Sequence, residues 1–232
     1  MKLAIIADIH GNADALEAVL DKVDQNNVDQ VIIAGDLVGY YFEPERVLKL
    51  LEPWPTLVVR GNHEEYLSRA RTDKKFLESL TSRYGPGIKI ALEQLSIDKL
   101  DFLTSLPHPI SINIEGSQFL ICHGSPWDLN QYIYPDANLS LFDQCANGRE
   151  DYIVLGHTHY SLLQTVEKTK IINPGSVGQP RNNQPGAHWV LLDMDNKSCS
   201  FHIESYDING LVELCKKKAP NHPYLWEVLS RK

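Results

Sequence analysis

The chain has 232 residues, of which 43% are hydrophobic and 22% charged. This composition excludes an intrinsically disordered protein, and no apolar run is long enough to span a bilayer. Twenty-two lysine and arginine residues stand against 30 aspartate and glutamate residues, and the resulting net charge of −8 disfavours binding to long nucleic acids. The length predicts a single domain, residues 1–232, with one main core.

The amino-terminal apolar run and the cysteines indicate the cellular compartment of the protein. Asp8, His10 and Asn12 interrupt the run too early for a secretion signal, so it is better explained as a buried strand. The four cysteines are scattered without CxxC spacing, which argues against a disulfide framework or a zinc ribbon. We therefore predict a cytoplasmic protein that does not act at a membrane.

Five short runs rich in Val, Ile and Leu predict strands that are buried on both faces. They are residues 3–7, 31–34, 56–59, 119–122 and 152–155. After the first run, residues 13–23 have apolar positions at helical spacing, with Asn12 as the expected N-cap. This order predicts an α/β sheet whose active site lies beyond the carboxyl ends of its strands.

Three further segments have different patterns. Residues 170–173, 188–193 and 198–205 predict short strands without helical spacers, and hence a second, more antiparallel sheet packed on the first. Residues from about 65 to 109 predict a helical insertion or lid, including a segment capped at Ser96 that stops at Pro107. Residues 125–151 form a second long connection.

A group of metal-binding type follows each of the five predicted strands. The fragments are Asp8-Ile9-His10, Gly35-Asp36, Gly61-Asn62-His63-Glu64, Cys122-His123-Gly124 and Gly156-His157-Thr158-His159. Carboxylate, imidazole and amide oxygen suit divalent ions such as Mn²⁺, Fe²⁺ and Zn²⁺. Residues two apart in a strand face the same way, so we expect Asp8 and His10 to bind one ion together. One fragment alone is as well explained by a turn or a cap, but five at strand ends predict a shared metal site.

The pattern D-x-H, G-D, G-N-H-[DE], H-G and G-H-x-H resembles that of the calcineurin-like metallophosphoesterase family, from residue 8 to about residue 181. Residues 35–40 and 173–181 are similar to the small prokaryotic branch with phosphodiesterases and diadenosine tetraphosphatase-like proteins. The resemblance implies an α/β fold, a four-layer αββα sandwich of two mixed β-sheets flanked by helices. It also implies hydrolysis of phosphate esters with two divalent ions, Mn²⁺ before Fe, Zn, Ni or Mg.

Carried over residue by residue, the resemblance implies two metal sites that share a bridging carboxylate. The ligands are Asp8, His10 and His159 for one ion, Asn62, His123 and His157 for the other, and Asp36 for both. It implies that water activated between the ions attacks phosphorus, with Asp36 and His63 as catalytic residues and His63 as general acid. Asn62, Arg60 and Arg181 are the candidate substrate contacts, although either arginine is also typical of a surface ion pair.

One departure from the family pattern bears on the substrate. Gly39 and Tyr40 stand where the protein-phosphatase branch has an acid that orients the histidine and an arginine that binds phosphate. We therefore favour small phosphodiesters or nucleotides, including dinucleoside polyphosphates, over phosphoproteins. Trp127, Tyr132 and Tyr134 are candidates for stacking on a base, and packing of their loop on the sheets is the alternative.

Several alternatives remain open at this point. A phosphomonoesterase or a phosphoprotein phosphatase would use the same attacked atom, and the sequence does not indicate an oligomeric state. A non-catalytic binding module on the same fold would be expected to lack ligands or His63, all of which are present. A zinc amidohydrolase would be a longer (β/α)₈ barrel, which the predicted antiparallel carboxyl-terminal strands disfavour.

Overall fold

The computed structural model describes residues 1–146 and 148–231. The strands are β1 (Lys2–Ile6), β2 (Gln30–Ile33), β3 (Thr56–Val58), β4 (Ile110–Ile114), β5 (Ser117–Ile121), β6 (Tyr152–Val154), β7 (Ser161–Val166), β8 (Thr169–Pro174), β9 (Ala187–Asp193) and β10 (Ser198–Glu204). The helices are α1 (Ala13–Gln25), α2 (Pro44–Leu51), α3 (Asn62–Ala70), α4 (Lys74–Tyr84), α5 (Gly87–Gln94), α6 (Ile97–Ser105), α7 (Leu139–Cys145), α8 (Ile208–Lys218) and α9 (Tyr224–Glu227), with a 3₁₀ turn at Val228–Ser230.

The strands form two five-stranded mixed sheets. The first has the order β10-β9-β1-β2-β3, in which β1, β2 and β3 are parallel and β9 is antiparallel to β1. The second has the order β4-β5-β6-β8-β7, in which β5, β6 and β8 are parallel and the two edge strands are antiparallel. In each sheet, therefore, a set of parallel strands ends at the same edge.

Apolar residues alternate between the two faces of each central strand, and this alternation produces the layers. On β1, Leu3 and Ile5 belong to the buried cluster that also contains Phe119 of the second sheet, whereas Ile6 belongs to the cluster that contains Leu16 of α1. A further cluster joins the outer face of the second sheet to α7. Because both faces are covered, the strands are continuously hydrophobic. The predicted four-layer αββα sandwich is confirmed.

The carboxyl-terminal strands are arranged differently from the prediction. Strands β9 and β10 extend the first sheet beside β1, whereas β8 lies in the second sheet between β6 and β7. The separate antiparallel sheet predicted from these segments is therefore wrong. The prediction paired strands that are close in sequence, but the open edge of β1 accepts β9 from the far end of the chain. The edge strands β4 and β7 were not predicted, because they lack the continuous apolar runs of the central strands; only Ile114 and Leu162 among their residues are buried.

The helical segments agree with the sequence patterns. Helix α1 begins where expected, and the Asn12 side chain accepts a hydrogen bond from the backbone of Ala15 at 3.2 Å. Four consecutive helices, α3 to α6, occupy the region predicted to be helical from residue 65 to 109. Residue 147, in the predicted long connection, lies outside the described residues. Within the described chain, no helix has the length and apolar character needed to cross a membrane.

The packing of α1 predicts the effect of a core truncation. Leu16 is fully buried, so Leu16→Ala should lower the free energy of unfolding by about 2–5 kcal/mol, because it leaves a cavity against the first sheet. Urea denaturation of the metal-free protein measures this change. Ile97→Ala, at a residue that is 71% exposed, is the control and should change the free energy by less than about 0.5 kcal/mol. A loss below about 1 kcal/mol for Leu16→Ala would contradict this packing.

Candidate metal centre

The polar fragments meet at the edge where the parallel strands of both sheets end. Asp8, His10, Asp36 and Asn62 follow β1, β2 and β3 of the first sheet, and His123, His157 and His159 follow β5 and β6 of the second. All seven side chains are buried, with exposed fractions of 6% or less. The structure thus brings together every residue that the sequence predicted to be a metal ligand.

The loops that carry these residues have an unusual backbone. Five of the seven adopt a left-handed conformation, with φ of 55° at Asp8, 54° at His10, 57° at Asp36, 67° at His157 and 61° at His159. Such a backbone costs of order 1–3 kcal/mol per residue and persists where surrounding contacts hold it. The prediction that strand alternation aligns Asp8 with His10 is wrong. Strand β1 ends at Ile6, and the loop that follows brings the two side chains together.

The first cluster contains Asp8, His10 and His159. The Nε2 atoms of the two histidines are 3.1 Å apart. Oδ1 of Asp8 lies 3.4 Å from Nε2 of His159 and 3.8 Å from Nε2 of His10. Three ligand atoms of these types, this close together, form a geometry that fits one divalent cation.

The second cluster contains Asp36, His123 and His157. Nε2 of His123 lies 3.3 Å from Oδ2 of Asp36 and 2.9 Å from Oδ1 of Asn62. The same Oδ2 atom of Asp36 lies 3.7 Å from Nε2 of His10 in the first cluster. One carboxylate oxygen therefore stands between the two clusters.

Backbone carbonyl groups determine which nitrogen each histidine presents. Nδ1 of His10 lies 3.2 Å from the carbonyl of Val38, and Nδ1 of His159 lies 2.6 Å from that of Gln179. A carbonyl accepts a hydrogen bond, so Nδ1 carries the proton and Nε2 is left with a lone pair in the neutral ring. His123 has the same arrangement with the carbonyl of Ala34, at 2.7 Å.

In His157 the two ring nitrogens have the opposite roles. Its Nε2 atom lies 3.2 Å from the carbonyl of Asn130, which leaves Nδ1 as the nitrogen with a free lone pair. The ring of Tyr132 stacks on the imidazole of His157, with the centroids 4.0 Å apart. The loop after β5 therefore fixes the orientation of a histidine that follows β6.

Burial shifts the protonation of the cluster. It lowers the pKa of His10 and His159 well below the usual value and that of His157 to about 3, so these rings are neutral. Burial also lowers the pKa of His123, but the charge of Asp36 outweighs it and raises that pKa to about 9. The lone pairs of His10 and His159 face each other at 3.1 Å and repel unless a cation lies between them. The donor set therefore fits divalent cations.

Glu64 was not recognised from the sequence as a functional residue. Its carboxylate accepts hydrogen bonds from the backbone N–H groups of Gly61 at 2.8 Å, Asp36 at 2.9 Å, Leu37 at 2.8 Å and Val38 at 3.3 Å. It thus joins the start of α3 to the loop that carries Asp36. An acid at the third position of a helix is a known capping signal and could have identified this contact.

The space at Gly39 is occupied by the ring of His63. A Cβ atom at position 39 would overlap Nδ1 of His63, so only glycine allows the ring to take this position. Nδ1 is buried and has no hydrogen-bond partner among the described residues. This agrees with the sequence, in which no acid stands at position 39 to orient the histidine. Burial lowers the pKa of His63 to about 4.

A central cavity of about 40 Å³ lies over the cluster. Its lining includes Arg181 but, among the described residues, neither Arg60 nor Trp127. The structure therefore does not bring Arg60 to the site, and its backbone N–H donates to the carbonyl of Pro107. Of the aromatic residues predicted in the long connection, Tyr132 reaches the cavity. The remaining lining residues are Asp36, Tyr40, Asn62, His63, Tyr66, Tyr84, His157 and His159.

The sequence profile of the calcineurin-like phosphoesterase superfamily domain matches residues 1–197, and the chain belongs to this superfamily. The crystal structure of a metallophosphoesterase from Sphaerobacter thermophilus is similar, with 28% identity and a TM-score of 0.79 over 100% of this chain and 98% of that chain. A hypothetical protein from Pyrococcus horikoshii OT3 has a TM-score of 0.88 with 21% identity, over 100% and 99% of the two chains.

One relative of this chain is a protein named for its enzymatic activity. Phosphodiesterase YfcE of Escherichia coli K12 is 25% identical over 205 residues, which cover 84% of this chain and 89% of the relative. The protein is therefore an enzyme, a phosphoesterase of a metal-dependent family, with clusters of His and Asp residues as candidate ligands. Its two packed sheets also exclude the (β/α)₈ barrel of an amidohydrolase.

The hydrogen bonds that Glu64 accepts predict that its carboxylate oxygens stabilise the site. Glu64→Gln should lower the free energy of unfolding by about 1–3 kcal/mol, because the amide NH₂ group would face backbone N–H donors. Urea denaturation of the metal-free protein at pH 8 measures the change. Glu65→Gln, at the exposed neighbouring residue, is the matched control. Equal stability of the two variants would show that Glu64 does not hold the loop.

Proposed function

We propose that this phosphoesterase hydrolyses phosphodiester or phosphoanhydride bonds in small phosphorylated compounds, nucleotides among them, with two divalent cations. The observation that carries the proposal is the position of one Asp36 oxygen, 3.7 Å from a nitrogen of one histidine cluster and 3.3 Å from a nitrogen of the other. Cations held on both sides of a carboxylate form a two-ion site, the arrangement suited to in-line displacement at phosphorus. Mn²⁺ is the proposed metal because the ligands are imidazole and oxygen groups.

We assign the ligands by cluster. One ion would be held by Asp8, His10 and His159, the other by Asn62, His123 and His157, and Asp36 would be a ligand of both. When bound, such ions lower the pKa of water toward neutrality and neutralise the charge on phosphate oxygens. The carbonyl contacts support this assignment, since they fix which ring nitrogen of each histidine faces the cluster without help from a metal.

His63 is the proposed proton donor to the departing oxygen, once the charge of a bound phosphate raises the pKa of its ring above the value of about 4 that burial gives it. Its ring lines the central cavity, and its centroid lies 4.6 Å from that of His10. The backbone N–H of His63 donates to Oδ1 of Asp36 at 2.8 Å, which fixes its position relative to the proposed bridge. A proton donor at this position lies beside the point at which the leaving group would separate from phosphorus.

Arg181 is the proposed phosphate contact. Its guanidinium group donates to Tyr40 Oη at 3.1 Å and to Oε1 of Gln179 at 3.0 Å, while Nε has no partner among the described residues. A guanidinium held in this way keeps a donor for a phosphate oxygen. We retain Asn62 in the same role, since it lines the cavity, and we do not retain Arg60.

Other features support the choice of a small substrate in the cytoplasm. The four cysteines are free, which suits a reducing compartment. The net charge of −8 disfavours long nucleic acids and anionic membranes as partners. We propose one domain over residues 1–232, with the helices between about 65 and 109 as an insertion beside the site. The complete ligand set and His63 favour this enzyme over a binding module.

Metal content tests the ligand assignment. Protein that is stripped with a chelator and reloaded with Mn²⁺ should hold about two ions per chain by elemental analysis, and stripping should abolish hydrolysis of bis(4-nitrophenyl) phosphate. Asp36→Asn should lower metal content and activity more than any other ligand substitution, because it removes the shared charge. Asp21→Asn, on the exposed face of α1, is the control. Activity that resists chelation in a metal-free protein would contradict the proposal.

The role of His63 is tested by the leaving group. His63→Ala should retain its metal but lower kcat by about 10²–10⁴-fold for a diester with an alkoxide leaving group, and by much less for a nitrophenolate. His202→Ala, on β10 and outside the cavity lining, is the control. Equal losses on both substrates would indicate charge stabilisation in place of proton donation, and loss of metal would make His63 a ligand.

A further inference from the structure

A second, larger pocket of about 470 Å³ adjoins the central cavity. The two share four lining residues, Tyr40, Tyr84, Tyr132 and Arg181. The central cavity, at about 40 Å³, has room for little beyond the reacting group, whereas pockets that hold small-molecule ligands measure about 300–1,000 Å³. The remainder of a substrate bound at the metal centre would therefore lie in this larger space, here called the tyrosine pocket.

The charged residues of the tyrosine pocket favour an anion. Arg83 and Arg181 line it, and no aspartate or glutamate of the described chain does. Arg83 is exposed and forms no ion pair within residues 1–146 and 148–231, and its Cζ atom lies 4.9 Å from the centroid of the Tyr84 ring. Two arginines without a carboxylate are notable in a chain with a net charge of −8. The local field thus attracts a negatively charged ligand.

The aromatic residues of the pocket favour a flat ring. Tyr132 and Tyr224 are 43% and 37% exposed, so both have accessible surface facing solvent. Tyr84 contributes a third ring from the end of α4, and Tyr40 a fourth from the loop after β2. Tyrosine rings and arginine guanidinium planes stack on any nucleobase, because every base has a flat π-face.

Part of the tyrosine pocket lies outside the common superfamily domain. Tyr224 lies in α9, beyond residues 1–197 that match the superfamily profile. Tyr84 and Arg83 come from α4, one of the four consecutive helices that follow β3. Trp127, which the sequence offered for stacking, lines neither cavity. The pocket therefore combines residues of the superfamily domain with a carboxyl-terminal segment beyond it, and that segment is suited to determine specificity.

We propose that the tyrosine pocket binds the nucleoside part of a nucleotide substrate while the phosphorus to be attacked lies at the metal centre. The base stacks on Tyr224 and on the Arg83–Tyr84 pair, and Arg181, which lines both cavities, contacts the phosphate between them. This inference rests on the proposed function, because the phosphate must bind at the neighbouring centre. It makes Tyr224, Tyr84 and Arg83 specificity-determining residues.

Direct binding tests the inference without relying on turnover. Isothermal titration of Mn²⁺-loaded protein should show that adenosine 5′-monophosphate binds about 5- to 150-fold more tightly than inorganic phosphate, the gain expected from stacking of one base. Tyr224→Ala should remove most of this gain and leave the affinity for phosphate unchanged. Tyr224→Phe should retain the gain, since it keeps the ring. Trp127→Ala, 43% exposed and outside both cavities, is the matched control.

The outcomes separate the two proposals. If phosphate binds but the nucleotide binds no more tightly, or if Tyr224→Ala weakens both equally, the tyrosine pocket is not the nucleoside site. If the loaded protein neither binds phosphate nor hydrolyses bis(4-nitrophenyl) phosphate, the proposed function fails, and this inference with it. Arg83→Ala changes an exposed side chain and keeps the test valid if Tyr224→Ala does not fold. It should weaken nucleotide binding more than phosphate binding, because it removes a stacking surface as well as a charge.

Discussion

Exclusion of water from a cluster of ionisable side chains is the constraint on which this structure depends. Three carboxylates and five histidines lie together with almost no exposed surface. Burying such groups is unfavourable unless each has a partner, so the surrounding chain must supply those partners. It does so mainly through the backbone: carbonyl groups fix the histidine rings, and N–H groups meet the carboxylates of Asp36 and Glu64. The rigid parallel strands behind the loops hold this backbone in place.

The loop after β2 serves both the centre and the tyrosine pocket. Asp36 lies between the histidine clusters, Gly39 leaves the space that the ring of His63 fills, and Tyr40 lines both cavities. Glu64 holds the start of this loop through backbone N–H groups. Gly39 and Tyr40 are the residues at which the chain departs from the protein-phosphatase pattern. In place of the acid and the phosphate-binding arginine of that pattern, this chain has a space for the ring of His63 and an aromatic side chain that lines both cavities.

The sequence predicted the grouping of the candidate ligands better than the pairing of the strands around them. Parallel strands end at one edge, so an apolar run followed by a histidine or an aspartate is sufficient to place residues such as His123 and Asp36 together. Strand pairing is set by contacts between distant segments, and the position of β9 beside β1 leaves no local signal. The pocket residues Tyr84 and Tyr224 were missed for the same reason. They lie in separate helical segments about which hydrophobic periodicity says nothing beyond helix formation.

The division of the proposed ligands between the two sheets has a thermodynamic consequence. Four of these residues follow strands of the first sheet, namely Asp8, His10, Asp36 and Asn62, and the other three, His123, His157 and His159, follow strands of the second. Ions bound by this set would therefore cross-link the two halves of the sandwich. Binding to the folded state alone adds about 2.7 kcal/mol of stability when the free ligand is at 100 times its dissociation constant. Under the proposed assignment, the melting temperature of the protein depends on the concentration of free metal as well as on the amino-acid sequence.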